Sequence, residues 1–132
     1  MDNNENPAWD LFRNIVALVR GAEEHAVAVE REACCWMVHG NKHVRYAIFK
    51  AAAEHISTVR RYCQAAEMHR DLLKKLGKSS GDDEAKAHWK NSARAMENAK
   101  HAETCAEEAY ERMKKSTSGQ EGSTPVCRMT KL

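Results

Sequence analysis

The sequence predicts an all-α protein: three long helices in an antiparallel bundle or coiled-coil arrangement, with a flexible C-terminal tail. Three observations carry this. Apolar residues recur in alternating steps of three and four over long stretches, which keeps them on one helix face. Twenty of the 132 residues are alanine, the strongest helix former. The two prolines, Pro7 and Pro125, lie outside helix interiors, where each would cost about 3 kcal/mol. Turn chemistry concentrates at Gly40-Asn41 and at Gly77-Lys78-Ser79-Ser80-Gly81. The chain thus divides into a flexible N-terminus (1–6), a three-helix domain (7–115) and a disordered tail (116–132).

The first helix is expected over 7–39. The Asn6 side chain can accept a free amide at the helix start, and proline at the next position loses no hydrogen bond. Ala8, Phe12, Ile15, Val19, Ala22, Ala26, Val29, Ala33 and Trp36 then form a continuous seam, with Gly21 a local weak point. Gly40 reads as the C-terminal cap and Asn41 as the next N-cap. The second helix is expected over 42–76. Phe49, Ala52, Ile56, Val59, Cys63, Ala66 and Leu73 carry its seam, Arg70 interrupts it, Leu72 and Leu76 widen its end, and Gly77 stops it. The third is expected over 83–115, capped by Ser80 or Asp82, with Asp83 and Glu84 suited to its positive end. Its seam of Ala95, Ala99, Ala102, Ala106, Ala109 and Met113, with Trp89 and Met96 alongside, lets backbones approach closely but buries little area per residue. Such a helix needs a partner. Homo-oligomerisation through these seams is expected.

Catalytic signatures are missing. There is no glycine-rich phosphate loop, no serine nucleophile elbow and no carboxylate pair in an apolar setting, so neither enzyme activity nor a cofactor is expected. Five cysteines, an odd number without framework spacing, read as thiols of a reducing compartment. Cys34, Cys35, His39 and His43 have metal-ligand spacing in part, but Gly40-Asn41 breaks the helix between the histidines and no second pair completes four ligands. His101 and Cys105 form a weaker pair. No bound zinc is expected.

Charge is unevenly placed. Net charge is +2, yet residues 1–40 hold seven acids against three Lys/Arg, and residues 41–78 hold nine Lys/Arg against three acids. One consequence is attraction between the first two helices. The other is a basic face for an anion. Within the basic run Arg60, Arg61, Arg70, Lys74, Lys75 and Lys78, the residues Arg60, Arg70, Lys74 and Lys78 come near one face of the second helix, and Lys42, Arg45 and Lys50 extend the positive segment toward the helix start. A face of this kind can follow the phosphates of double-stranded RNA by shape and charge.

No apolar run is long enough to span a membrane, and the N-terminus lacks a secretory signal, so an intracellular, cytoplasmic protein is expected. The final Thr130-Lys131-Leu132 resembles the Ser-Lys-Leu address read by the peroxisomal import receptor, with Thr in place of Ser.

The cysteine content, the coiled-coil segment and this ending resemble the small cysteine-rich silencing suppressors of rod-shaped plant viruses, of the hordeivirus and pecluvirus kind. Arg61-Tyr62-Cys63 followed by His69, Leu72, Leu73 and Lys74 is similar to the start of their coiled coil. The resemblance covers about a quarter of the chain and implies dimerisation through helices and binding of small double-stranded RNA. The multi-cysteine zinc fingers of part of that group are missing, so their metal-dependent RNA binding is not carried over. A second resemblance is to microtubule-interacting-and-transport or tetratricopeptide-type helical units. Gly40-Asn41 with Ile48, Phe49 and Ala52 looks like their turn and second helix, though the helices here are far longer. It implies a protein–protein adaptor with no nucleic-acid role.

Overall fold

The computed structural model describes residues 6–38 and 40–117. His39, the tail from residue 118 onward and Thr130-Lys131-Leu132 lie outside these residues. Three helices, α1 (Pro7–Val38), α2 (Lys42–Ser80) and α3 (Asp83–Thr117), pack each against both others.

Their direction follows from contacts at the ends. Asn6, before α1, donates to Glu84 at the start of α3, while Ser116 near the end of α3 lies 3.5 Å from Met37 Sδ near the end of α1. α1 and α3 are therefore parallel, and α2 runs against both. The caps explain the boundaries. Asn6 Oδ1 accepts from the Ala8 and Trp9 amides at 2.9 and 3.4 Å, and Asn41 Oδ1 from those of His43 and Val44 at 2.8 and 3.1 Å. Asp82, rather than Ser80, caps α3, accepting from Glu84 N at 2.9 Å and Ala85 N at 3.4 Å.

Three expectations about glycines and boundaries are corrected. Gly77 does not stop α2; the helix continues to Ser80, and Gly81 ends it in the left-handed conformation at φ 66°. A helix ends where a residue can turn left-handed, and Gly77 is needed instead for a close approach: a Cβ there would sit 3.0 Å from Lys86 Cγ. Gly40 is not a left-handed cap, since Gly81 is the one described glycine with positive φ. Residues 116 and 117 belong to α3 rather than to the tail. Gly21 has a positive role as well. A Cβ there would lie 2.6 Å from Tyr62 Cε2, so the missing side chain is what lets α2 seat its tyrosine.

The core follows the seams read above. All α1 seam positions are buried except Phe12, which is half-buried. On α2, Ala52, Ile56, Val59, Cys63, Ala66 and Leu73 are buried, and Phe49 stacks on Tyr110 at 4.9 Å. On α3 the inward row is Ala85, Ser92, Met96, Ala99, Ala102, Ala106, Ala109 and Met113, so Met96 takes the place expected of the half-buried Ala95. Buried alanines on all three helices allow close backbones, and larger side chains fill the ends: Trp9, Phe12 and His88 form an aromatic cluster with centroid separations of 4.9 to 6.1 Å. The seams expected to support self-association are thus occupied within the chain. Among the described residues no helix is long and apolar enough to cross a membrane.

Candidate nucleic-acid interface

α2 is 39 residues long, or roughly 58 Å at 1.5 Å per residue. Its apolar seam is buried between α1 and α3, which turns the rest of its circumference to solvent. Of the cations expected to form a binding face, Lys42, Lys50, Arg60, Arg61, Lys74 and Lys78 are exposed, and exposed Lys75 joins them. The α2 acids are exposed too: Glu54, Glu67 and Asp71.

Three arginines have work inside the fold. Arg45 is half-buried with its guanidinium 3.8 Å above the Trp36 ring. Arg70, which interrupted the seam, is half-buried against α3. It lies 4.6 Å over Trp89, and it donates from Nε to Ser92 Oγ at 2.7 Å and from an Nη to the Trp89 carbonyl at 3.2 Å. Ser92 is fully buried and its hydroxyl donates to the Trp89 carbonyl at 2.7 Å, so Arg70, Ser92 and Trp89 form one closed hydrogen-bond set. Arg60 remains exposed but donates from Nε and an Nη to one Glu107 oxygen at 3.2 and 3.1 Å, with Glu103 4.0 Å away. Of the eight residues expected on the ligand face, Arg45 and Arg70 are thus half-buried and engaged within the fold, and Arg60 is paired with Glu107. The Arg60 ion pair joins α2 to α3 rather than to the acidic α1.

A hydrophilic cluster sits between α1 and α2 that the sequence did not single out. His25 Nδ1 and His55 Nδ1 are 2.7 Å apart, so one ring donates and the other accepts. His55 Nε2 is 3.5 Å from a Glu32 oxygen. Burial pushes the Glu32 carboxyl up to about 7, and its other oxygen is buried without a hydrogen-bond partner. Burial, with His55 beside it, lowers the His25 pKa below its ordinary value. His25 and Glu32 are two turns apart on α1, a spacing visible in sequence; their meeting with His55 is not.

The cysteine and histidine positions singled out by spacing divide into one described pair and one set that includes His39, outside the described residues. Cys35 is exposed, Cys34 half-buried, and among the described residues no group of three or more His, Cys, Asp or Glu could hold a metal ion. Cys105 Sγ is 3.6 Å from His101 Nε2. Cys63 is buried with its thiol 3.5 Å from the Ala99 carbonyl, and burial, with Glu103, Glu67 and Glu107 nearby, raises its pKa to about 11.

At the far end of α2, Lys74 and Lys78 meet α3. Leu73, Lys74, Gly77, Lys78, Lys86 and Trp89 line a cleft of about 290 Å³. Comparison with protein families, curated proteins and solved structures finds no match to this chain.

Proposed function

We propose that this is a non-enzymatic helical protein that binds double-stranded RNA along the exposed face of α2. One observation carries the reading: Lys42, Lys50, Arg61, Lys74, Lys75 and Lys78 are all exposed on one long, uninterrupted helix. A rigid row of cations suits a ligand whose charges repeat along an axis. Their flexible stems meet phosphates without reading bases, so binding is indifferent to sequence and sensitive to salt. The resemblance to viral silencing suppressors favours short duplexes as the ligand and suppression of silencing as the consequence. The test is a mobility shift with a short RNA duplex at low salt. Arg61→Ala, Lys75→Ala and Lys78→Ala together should abolish it, with helix content unchanged.

A second reading, the protein–protein adaptor, is favoured by exposed apolar residues on the same helix. Met68 is 66% and Leu72 50% exposed, and with half-buried Ala65 they form one stripe at steps of three and four. Met68→Lys with Leu72→Lys separates the two readings. The substitution would destroy capture of a helical partner or of a second copy, and would leave phosphate contacts in place.

A further inference from the structure

We propose that the cleft between the end of α2 and the start of α3 is a binding site for a small aromatic phosphate, a nucleoside monophosphate unit in chemical class. Its walls are apolar: Leu73 is fully buried behind it, Gly77 offers bare backbone, and Trp89 supplies an indole. Its rim carries Lys74, Lys78 and Lys86, all exposed. Apolar walls disfavour a bare inorganic anion, which the cleft would strip of water without amides to replace it. Three ammonium groups at the rim disfavour a neutral ring. A flat ring joined to an anionic group satisfies both halves, the ring against the indole and the anion among the lysines. The volume, about 290 Å³, lies at the low end of ligand sites and admits one ring system rather than a large molecule.

The site is preset by the fold. Arg70 stacks on Trp89 and is tied to Ser92 Oγ and to the Trp89 carbonyl, which holds the indole in place before any ligand arrives. Gly77 lines the cleft where α2 approaches α3, and a Cβ at that position would press on Lys86 Cγ at 3.0 Å. Two nearby acids are engaged elsewhere: Asp82 caps the α3 amides and Glu84 accepts from Asn6. Lys74 Nζ lies 5.6 Å from the Trp89 ring centroid, which places its charge beside the indole. Lys74 and Lys78 belong both to this rim and to the exposed face of α2. The same chemistry can therefore arrive as a free nucleotide or as an unpaired nucleotide at an RNA end, and the second source rests on the RNA reading above.

The test uses the indole N–H resonances of the full chain, with Trp89 assigned by Trp89→Phe. Titration with AMP should move the Trp89 signal saturably and leave those of Trp9 and Trp36 in place. Adenosine and inorganic phosphate, titrated separately, should each be at least about tenfold weaker. Gly77→Ala and Lys86→Glu should each weaken AMP binding several-fold. Lys86 is exposed, so its substitution keeps the fold if Gly77→Ala does not. A duplex with one unpaired 3′ adenosine is compared with a blunt duplex. A Trp89 shift with the overhang alone assigns the site to RNA ends, and a shift with AMP alone assigns it to a free nucleotide. A Trp89 signal silent toward both would overturn the proposal, even if the blunt duplex binds α2. So would equal shifts with inorganic phosphate, or unchanged AMP binding in both variants.

Discussion

Replacing Gly21 by alanine isolates the most specific contact in this fold. Two opposed effects act at the site. Alanine in a helix interior is favoured over glycine by about 1 kcal/mol. Against this, the new Cβ would lie 2.6 Å from Tyr62 Cε2 and 2.9 Å from Tyr62 Cδ2. Carbon pairs are comfortable near 3.5–4.0 Å, so Tyr62 would have to move by about an ångström. The ring cannot yield as a lysine end could, because it packs edge-on against His25 at a centroid distance of 5.7 Å. Overpacking of this kind costs about 1–3 kcal/mol, so Gly21→Ala should destabilise the fold by up to about 2 kcal/mol after the helix gain. A double-mutant cycle makes the cause visible. In the Tyr62→Ala background the clash is gone, and Gly21→Ala should stabilise by about 1 kcal/mol. The assay is urea unfolding followed by circular dichroism for the four chains. The same sign in both backgrounds would refute the proposed contact between α1 and α2.

The remaining predictions concern ionisation, reactivity and the roles of the arginines. Glu32 has a folded pKa of about 7 against an ordinary 4.5, so the folded state keeps a proton that the unfolded chain has lost. Stability should therefore fall as pH rises from about 4.5 to 7, and Glu32→Gln should remove that fall, gaining up to about 3 kcal/mol at pH 8 and almost nothing near pH 4. His25, with its lowered pKa, acts oppositely, its contribution being lost as pH falls below the ordinary histidine value of 6.5. Thiol labelling at pH 8, read by peptide mass spectrometry, should modify Cys35 quickly and Cys63 only on unfolding, since the Cys63 thiol is buried and titrates near 11. Arg70→Ala should cost about 1–2 kcal/mol, because it removes two half-buried hydrogen bonds and the stack on Trp89 while Ser92 Oγ keeps its bond to the Trp89 carbonyl. Arg60→Ala, which breaks only an exposed pair, should cost less than about 1 kcal/mol; thermal unfolding ranks the two.

The fold was legible because its signals are repetitive. Every seam residue on α1 steps by three or four, and α1 and α2 bury those positions almost without exception. What eluded the sequence depended on pairs far apart in the chain. Gly77 looks like a stop signal alone; its meaning comes from Lys86, which only the α2–α3 hairpin brings to it. Arg70 looks like one more cation on a basic face until Ser92 and Trp89 are placed beside it. His25, His55 and Glu32 meet across two helices with no pattern that announces it. The basic face itself was partly legible: six of its eight residues are exposed, and the other two stack on indoles. A guanidinium over an indole gains about 0.5–2 kcal/mol, and no helical wheel registers that contact.

The proposed RNA binding depends most on the exposed cations of α2, and a salt titration tests them most directly. Affinity for a short duplex is measured by mobility shift or filter binding between low and moderate salt. If about six α2 cations meet phosphates, the logarithm of affinity should fall with the logarithm of salt at a slope of roughly −5. Each of Lys50→Ala, Arg61→Ala and Lys75→Ala should flatten that slope by about 1, whatever the duplex sequence, while Arg70→Ala leaves it unchanged. No binding by the unmutated protein at low salt, or a slope untouched by the three substitutions, would contradict the account.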